Sequence, residues 1–231
     1  MTAPSPPTTR VAAIAVSHLT FAWPRREPIL HECCLNVPRG QFWMLMGANG
    51  SGKSTLLQLL AGLLPCPDDA SIQIDRPIGY VFQNPDRQLV MPTVGADVAF
   101  SLSGEQLSHA EVRWRVTNAL ELVGLRNLIR RPIHALSGGQ KHRVAIAGAL
   151  ARHSRVLLLD EPTALLDPES QLDLVRTVRQ LVDRQGITAV WITHRLNELE
   201  WADRAVLLSD GNVRAQGVPA RIKQYLRPDK D

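Results

Sequence analysis

The sequence is poor in cysteine, with three in 231 residues, and two of them are adjacent at Cys33 and Cys34. An odd number of cysteines without the spacing of a zinc site predicts neither a disulfide scaffold nor a structural metal centre. We therefore interpret all three as free thiols that lie in the core or on the surface. This cysteine usage favours a reducing compartment.

Long apolar runs are also absent. The sequence has no stretch of about 20 consecutive apolar residues, so it predicts no transmembrane helix. The first ten residues, MTAPSPPTTR, lack the apolar segment of a signal peptide, and we interpret residues 1–10 as a disordered tail. These absences predict a cytoplasmic chain that is at most peripherally attached to a membrane.

Neither sign of charge dominates, since 26 Lys and Arg residues oppose 22 Asp and Glu residues for a net charge of +4. No block of basic residues is dense enough to indicate a nucleic-acid surface, so we expect no nucleic-acid partner. Hydrophobic residues make up 45% of the chain, which is ordinary for a soluble globular protein. The function must therefore be sought in the motifs.

The hydrophobic pattern predicts an α/β fold. Short apolar or alternating runs within residues 11–46 predict strands, the first of them antiparallel. Further strands alternate with helices, which predicts a core lobe with a buried parallel sheet. Residues 93–150 are mainly helical and are interpreted as an inserted lobe. The expected organisation is one domain, residues 11–231, with a core lobe (11–92 and 151–231) and a helical lobe (93–150).

Residues 47–54 read GANGSGKS and match the phosphate-binding pattern G-x-x-x-x-G-K-[ST] between a predicted strand and a predicted helix. Its glycines let successive N–H groups point at an anion, and the N-terminus of the helix adds positive charge. Lys53 is expected to reach the β- and γ-phosphates, Ser54 to ligate Mg²⁺ and Thr55 to contact the α-phosphate. The predicted nucleotide site comprises Gly47, Ala48, Asn49, Gly50, Ser51, Gly52, Lys53, Ser54 and Thr55.

Two consecutive carboxylates end the apolar strand VLLLD. Asp160 lies at the carboxyl end of that strand, where ligands bind in open α/β sheets, and is expected to be a second Mg²⁺ partner. Glu161 follows it and is expected to act as general base on the water that attacks the γ-phosphate. This pair predicts a P-loop nucleoside triphosphatase, without choosing among its many kinds.

The helical run HALSGGQKHRVAIAGAL begins with two glycines, Gly138 and Gly139, although glycine costs about 1 kcal/mol relative to alanine inside a helix. The pentapeptide LSGGQ at 136–140, upstream of VLLLDEP, resembles the signature motif of ATP-binding-cassette (ABC) ATPases. The resemblance extends over nearly the whole chain. Its motifs follow in the family's order: Trp23, the P-loop, Gln83, LSGGQ, VLLLDEP, Asp167 and His194.

This resemblance implies ATP and Mg²⁺ as cofactors and a head-to-tail pair of cassettes, in which each signature helix caps the ATP held by the other. The signature residues Ser137, Gly138, Gly139 and Gln140, together with Asp167, would then contribute to the partner's site, where Ser137 contacts the γ-phosphate. Gln83 is expected to touch Mg²⁺ or the attacking water, and His194 the γ-phosphate. Trp23 is expected to stack on adenine; Trp43, Trp114, Trp191 and Trp201 are assigned to packing.

Three positions depart from the family's pattern: Ala48 replaces a common proline, Gly148 replaces a common arginine, and Leu165 occupies a position where a small residue is usual. None of these changes removes an expected catalytic group. Because the loop containing Leu165 would run along the contact between the two cassettes, the coupling of the two sites is left open.

The stretch QNPDRQ at 83–88 is similar to the Q-loop of energy-coupling-factor ATPases, which power the uptake of vitamins and of cobalt or nickel ions. Asn84-Pro85-Asp86 predicts a turn that presents Asp86, Arg87 and Gln88 to a membrane partner. The resemblance implies the ATPase subunit of an importer, peripheral on the cytoplasmic face of the membrane, with transmembrane subunits and a second identical or related cassette as partners. A soluble ABC ATPase of cofactor or cluster assembly is the alternative.

Overall fold

The computed structural model describes residues 11–226, so the predicted tail at residues 1–10 lies outside the described part of the chain. The described strands are β1 (Ala12–Ala22), β2 (Pro28–Pro38), β3 (Phe42–Met46), β4 (Ser71–Ile74), β5 (Ile78–Val81), β6 (Val156–Leu159), β7 (Thr188–Ile192), β8 (Arg204–Ser209) and β9 (Asn212–Gly217). The helices are α1 (Lys53–Ala61), α2 (Val94–Phe100), α3 (His109–Leu122), α4 (Gly138–Ala151), α5 (Pro168–Gln185) and α6 (Pro219–Leu226). The sequence pattern predicts all of these elements except β4 and α6.

The strands form two sheets. The larger has the order β5-β6-β7-β3-β8-β9, and its neighbouring strands are parallel except for β8 and β9. The smaller is antiparallel, with the order β2-β1-β4. This arrangement confirms the predicted α/β fold with an N-terminal antiparallel β-subdomain.

The strands β3, β6 and β7 are buried at every position, as expected for a parallel sheet covered on both faces. Two tryptophans assigned to packing, Trp43 and Trp191, belong to these strands and are buried. The assignment is wrong for Trp114, whose side chain lies on α3 and is 57% exposed. Helical periodicity places a residue on a face, but it does not reveal whether anything covers that face.

Helices α2, α3 and α4 come from the segment predicted to be helical. The apolar side chains of α4, among them Ile146 and Ala147, are buried in the same cluster as those of β3, β6 and α5. The helical segment therefore packs directly on the parallel sheet. No helix within residues 11–226 combines the length and hydropathy needed to cross a bilayer.

The carboxyl ends of three central strands meet at one edge of the larger sheet. β7 lies between β6 and β3, all three are parallel, and they end at Leu159, Ile192 and Met46. The segments that follow these strands contain the P-loop, the two carboxylates and His194. Parallel pairing thus gathers motifs that are more than 100 residues apart in the sequence.

Candidate nucleotide site

The P-loop connects β3 to α1 through backbone conformations that favour glycine. Gly52, which precedes the helix, has φ +97°, and a Cβ atom there would lie 2.6 Å from Leu30 Cδ2. Only glycine satisfies both the left-handed backbone and this close approach. The N-terminus of α1 therefore begins directly at the loop, which is the arrangement that binds phosphate.

Two buried polar groups of the P-loop fit an anionic ligand. Lys53 is buried, and its Nζ donates to the carbonyls of Gly47 at 3.0 Å and Ala48 at 2.8 Å. Burial lowers the pKa of Lys53, an effect opposed by the negative charges of Glu161 and Asp160. Ser51 Oγ is also buried and has no hydrogen-bond partner among the described residues. A phosphate would supply an acceptor for this hydroxyl and a counter-charge for the lysine.

The Asp160 carboxylate accepts one hydrogen bond on each oxygen. Ser54 Oγ donates to Oδ1 at 2.9 Å, and Tyr80 Oη donates to Oδ2 at 3.1 Å. Burial raises the pKa of Asp160, while the bonds from Ser54 and Tyr80 oppose that rise. Hydroxyl and carboxylate oxygens are the ligands that Mg²⁺ prefers, so Ser54 and Asp160 fit this ion.

Glu161 lies at the centre of a second set of contacts. Gln83 Nε2 donates to Glu161 Oε2 at 3.1 Å, and His194 Nε2 lies 2.6 Å from Oε1. The backbone of Glu161 has φ +45°, a conformation that costs a non-glycine residue on the order of 1–3 kcal/mol and occurs mainly at functional sites. The structure thus joins the three residues that the sequence predicts to be catalytic.

A buried carboxylate that the sequence analysis missed supports the segment around His194. Glu198 accepts hydrogen bonds from Thr163 Oγ1 at 2.6 Å and from Trp191 Nε1 at 3.0 Å. Its side chain therefore links the segment after Glu161 to strand β7 and the loop after it. A glutamate in a polar stretch gives no signal of burial, since its partners come from other segments.

The signature motif begins helix α4 with a reciprocal cap. Gln140 N donates to Ser137 Oγ at 3.3 Å, and Ser137 N donates to Gln140 Oε1 at 3.0 Å. Asp167 caps α5 with a single hydrogen bond, in which its Oδ1 accepts from Ser170 N at 2.9 Å. Ser137 and Asp167 are therefore the N-caps of α4 and α5.

Close contacts within the chain also explain the two signature glycines. A Cβ atom on Gly138 would lie 2.8 Å from Leu166 Cδ2, and one on Gly139 would lie 3.1 Å from Ser170 Cβ. The start of α4 therefore packs closely against the start of α5. The sequence suggested only an approach from outside, because it does not reveal which helices touch.

The signature motif and the P-loop remain separate. Within the described residues 11–226, no hydrogen bond joins residues 137–140 to residues 47–55. Lys141, which follows the signature motif in α4, instead contacts the Q-loop: its Nζ lies 2.7 Å from Asp86 Oδ1. The structure thus brings together the residues of one half of the predicted site and leaves the signature half apart.

The Q-loop forms the predicted turn. Asn84 Oδ1 accepts from Asp86 N at 3.0 Å, and Pro85–Arg87 form a 3₁₀ turn with Asp86 and Arg87 exposed. Gln88 is half-buried, so the turn exposes it less than Asp86 and Arg87. Its amide bonds the backbone of Tyr80 at 3.0 Å and of Phe82 at 3.3 Å, because the turn directs it back onto the end of β5.

Trp23 lies beside the P-loop on the antiparallel subdomain. Its ring contacts Phe21 edge-on, with centroids 5.5 Å apart, and it lines a shallow depression together with Gly50 and Gly211. The side chain is 36% exposed, so part of its face is open for stacking. Its role with adenine stays a prediction.

The parallel sheet, the P-loop and the carboxylates after β6 define a nucleotide-binding protein of the P-loop class. Residues 30–164 match the family described as ABC transporter, which is more than half of the chain. The chain belongs to the ABC transporter family. It is an ABC-type ATPase, with ATP and Mg²⁺ as its cofactors.

Named relatives cover most of the chain. The ABC transporter I family member 10 of Arabidopsis thaliana is 46% identical over 222 residues, covering 93% of this chain and 82% of that protein. The energy-coupling factor transporter ATP-binding protein EcfA1 of Streptococcus pyogenes is 39% identical over 226 residues, covering 91% and 81%. The motif resemblance is therefore matched by similarity over more than nine-tenths of the chain.

Solved structures share the fold. CbiO1 from Clostridium perfringens, described as part of the ABC transporter complex CbiONQ, has a TM-score of 0.86 at 35% identity and covers 92% of this chain and 91% of its own. The ATP-binding cassette MJ0796, in a dimeric post-hydrolysis state bound to ADP and phosphate, has a TM-score of 0.76 at 28% identity, covering 89% and 98%.

Proposed function

We propose that this chain is the ATP-hydrolysing subunit of an energy-coupling-factor type importer of a metal ion or vitamin. In this function it lies peripherally on the cytoplasmic face of the membrane and transfers the energy of ATP hydrolysis to transmembrane subunits. The observation that carries the proposal is the Glu161 carboxylate, held by Gln83 and His194 beside the Ser54–Asp160 pair. The similarity to EcfA1 supports the importer type.

The P-loop binds the phosphates of ATP in this proposal. Its backbone N–H groups and the buried Lys53 and Ser51 supply donors, while Thr55 lies at the α-phosphate and Trp23 stacks on the base. Ser54 and Asp160 hold Mg²⁺, with Gln83 as a further oxygen ligand. The ion, when bound, neutralises negative charge on the β- and γ-phosphates.

Glu161 acts as the general base. A carboxylate accepts a proton from water only when it is oriented toward that water, and here one oxygen contacts His194 and the other contacts Gln83. His194 also contacts the γ-phosphate, so the same two side chains orient the base and detect the nucleotide. Hydrolysis then transfers the γ-phosphoryl group to water and leaves ADP.

The signature motif completes the ATP site of a second cassette, identical or related. Ser137 is exposed at the N-terminus of α4 and is not hydrogen-bonded to the P-loop of its own chain in the described region. Its hydroxyl and the helix N-terminus are suited to a γ-phosphate that approaches from outside. Asp167 and Gln140 fix the two helix starts that form this surface.

The transmembrane subunits dock beside the Q-loop. An open groove lies there, lined by residues of β5, α2, α4 and the loop after the Q-loop turn, including Leu89, Phe100 and Gly148. Phe100 is 48% exposed, and the exposed residues Asp86 and Arg87 belong to the adjacent Q-loop. A groove with an apolar wall and charged borders suits a short amphipathic helix of a membrane partner.

Co-purification from the native host tests the transport function. The tagged full chain is recovered from membranes solubilised in mild detergent, and its partners are identified by mass spectrometry. Polytopic membrane proteins, with a second cassette or a second copy of the chain, are expected. Recovery of soluble partners alone, with the chain absent from the membrane fraction, would overturn the importer and favour an assembly ATPase.

A further inference from the structure

We infer that Tyr80 is a positioning residue for the Mg²⁺ ligand Asp160. The inference rests on the proposed function, since it takes Asp160 as the residue that holds the ion. Tyr80 is not part of the phosphate, signature or switch motifs. Its hydroxyl is nevertheless one of only two side-chain donors that the Asp160 carboxylate has among the described residues.

The two residues face each other because their strands are parallel neighbours. Tyr80 of β5 pairs with Leu158 of β6, and Asp160 lies two residues further on, so its side chain points to the same face of the sheet. The Tyr80 ring is packed edge-on against Phe82, with centroids 4.7 Å apart. Both partners of the hydrogen bond are thus held by the backbone of the central sheet.

The Tyr80 hydroxyl is the donor of this hydrogen bond, and Asp160 Oδ2 is the acceptor at 3.1 Å. Oδ1 accepts from Ser54 instead, so the two hydrogen bonds together fix the plane of the carboxylate before any ion binds.

Removing the hydroxyl would free this carboxylate to rotate and leave Oδ2 without a partner. Outer-shell partners of metal ligands typically contribute about 10–100-fold to metal affinity. We therefore expect Tyr80→Phe to raise the Mg²⁺ concentration for half-saturation by about tenfold. Nucleotide binding in the absence of the ion should stay within about twofold of wild type, because the P-loop itself is unchanged.

The experiment titrates a fluorescent ATP analogue onto the full chain, first with EDTA and then over a Mg²⁺ series. Tyr225→Phe is the matched control, because Tyr225 is the second of the two tyrosines and lies exposed on α6. Thermal unfolding reports whether each variant is folded. Tyr80→Leu provides a second variant that lacks the hydroxyl and retains an apolar side chain.

A Mg²⁺ dependence in Tyr80→Phe and Tyr80→Leu that matches wild type would overturn the inference. An equal loss of affinity with and without Mg²⁺ would also overturn it, because that result indicates packing of the P-loop rather than control of Asp160. Asp160→Asn is measured in parallel. If its Mg²⁺ dependence is unchanged, the assignment of the metal ligand fails, and that failure is distinct from one confined to Tyr80.

Discussion

The P-loop half and the signature half of this molecule differ in how their polar groups are satisfied. In the first, Ser54, Asp160, Glu161, Gln83 and His194 are connected by hydrogen bonds between segments that are far apart in sequence. In the second, within residues 11–226, the side chains of Ser137 and Gln140 each accept a hydrogen bond from the backbone N–H of the other residue and bond no distant segment. One half is assembled by folding, whereas the other presents an exposed helix N-terminus.

The P-loop itself also differs from the start of the signature helix in burial. Lys53, Ser51 and Thr55 are buried within the P-loop, while Ser137 and Gly138 are exposed and the nearby Leu165 is 72% exposed. A helix start with unpaired N–H groups and a large exposed leucine beside it are both features that a partner would cover. The comparison therefore suggests which substitutions affect a single chain and which affect only a pair.

The largest effect is expected in the P-loop half, from Glu161→Gln. An amide cannot accept a proton from water, so turnover should fall by about 10²–10⁴-fold while ATP binding is retained and an ATP-bound pair accumulates. Phosphate release and size-exclusion chromatography with ATP measure the two properties. Glu121→Gln, which alters a surface ion pair with Arg126, is the control. Normal turnover in Glu161→Gln would contradict the role of Glu161 as base.

Ser137→Ala tests whether the signature half acts in catalysis beyond its role as a helix cap. Losing the cap should cost about 0.5–2 kcal/mol of stability. Losing a hydrogen bond to a charged phosphate should lower turnover about tenfold or more, with ATP affinity of the single chain unchanged.

Ser108→Ala is the matched control, since Ser108 Oγ accepts from Glu111 N at 3.2 Å as the cap of α3. It should show the loss of stability without the loss of turnover. Thermal unfolding, nucleotide titration and phosphate release are measured for both variants. Equal turnover in the two would mean that Ser137 is a cap alone.

Leu165→Ala tests whether the exposed loop before Asp167 contributes to the contact between two cassettes. Burial of a leucine side chain contributes about 1.5–3 kcal/mol, so partial burial between two cassettes should contribute about 1 kcal/mol. In the Glu161→Gln background the ATP-dependent pair should weaken about fivefold, as measured by sedimentation. Val218→Ala, at an exposed position next to α6, is the control. If the affinity of the pair is unchanged, Leu165 does not contribute to the contact between the cassettes.

The smallest effect concerns Asp167 and pH. The hydrogen bond from Ser170 N holds the pKa of Asp167 below its ordinary value of 3.8. Because the pKa is lower in the folded state, the carboxylate stabilises the fold above 3.8 and loses that contribution as the pH falls through the folded value.

Asp167→Asn retains an acceptor for the cap but has no charge to lose. The difference in unfolding midpoint between wild type and Asp167→Asn should shrink when denaturation is repeated at about pH 3 instead of about pH 7. A constant difference across this range would show that the charge does not contribute to the cap.

Much of the fold could be predicted from local patterns. The helix α5 begins at Pro168 after Asp167 and ends at Gln185 before Gly186, and these flanking residue types are typical of helix starts and ends. The buried strands β3, β6 and β7 stand out as apolar runs of four or five residues. The strand β4 does not, because its four residues alternate between exposed and half-buried positions and depend on pairing with β1.

The sequence by itself determined the chemical groups and their order: the P-loop, the two carboxylates, the signature serine and glycines, and the caps of α4 and α5. Tertiary structure alone decided that Tyr80 bonds Asp160, that Gln88 bonds the backbone of Tyr80 and that Gly139 packs on Ser170. The reason is physical. Periodicity and capping act within one segment, whereas these contacts depend on strand register and helix packing between segments that the sequence does not place side by side.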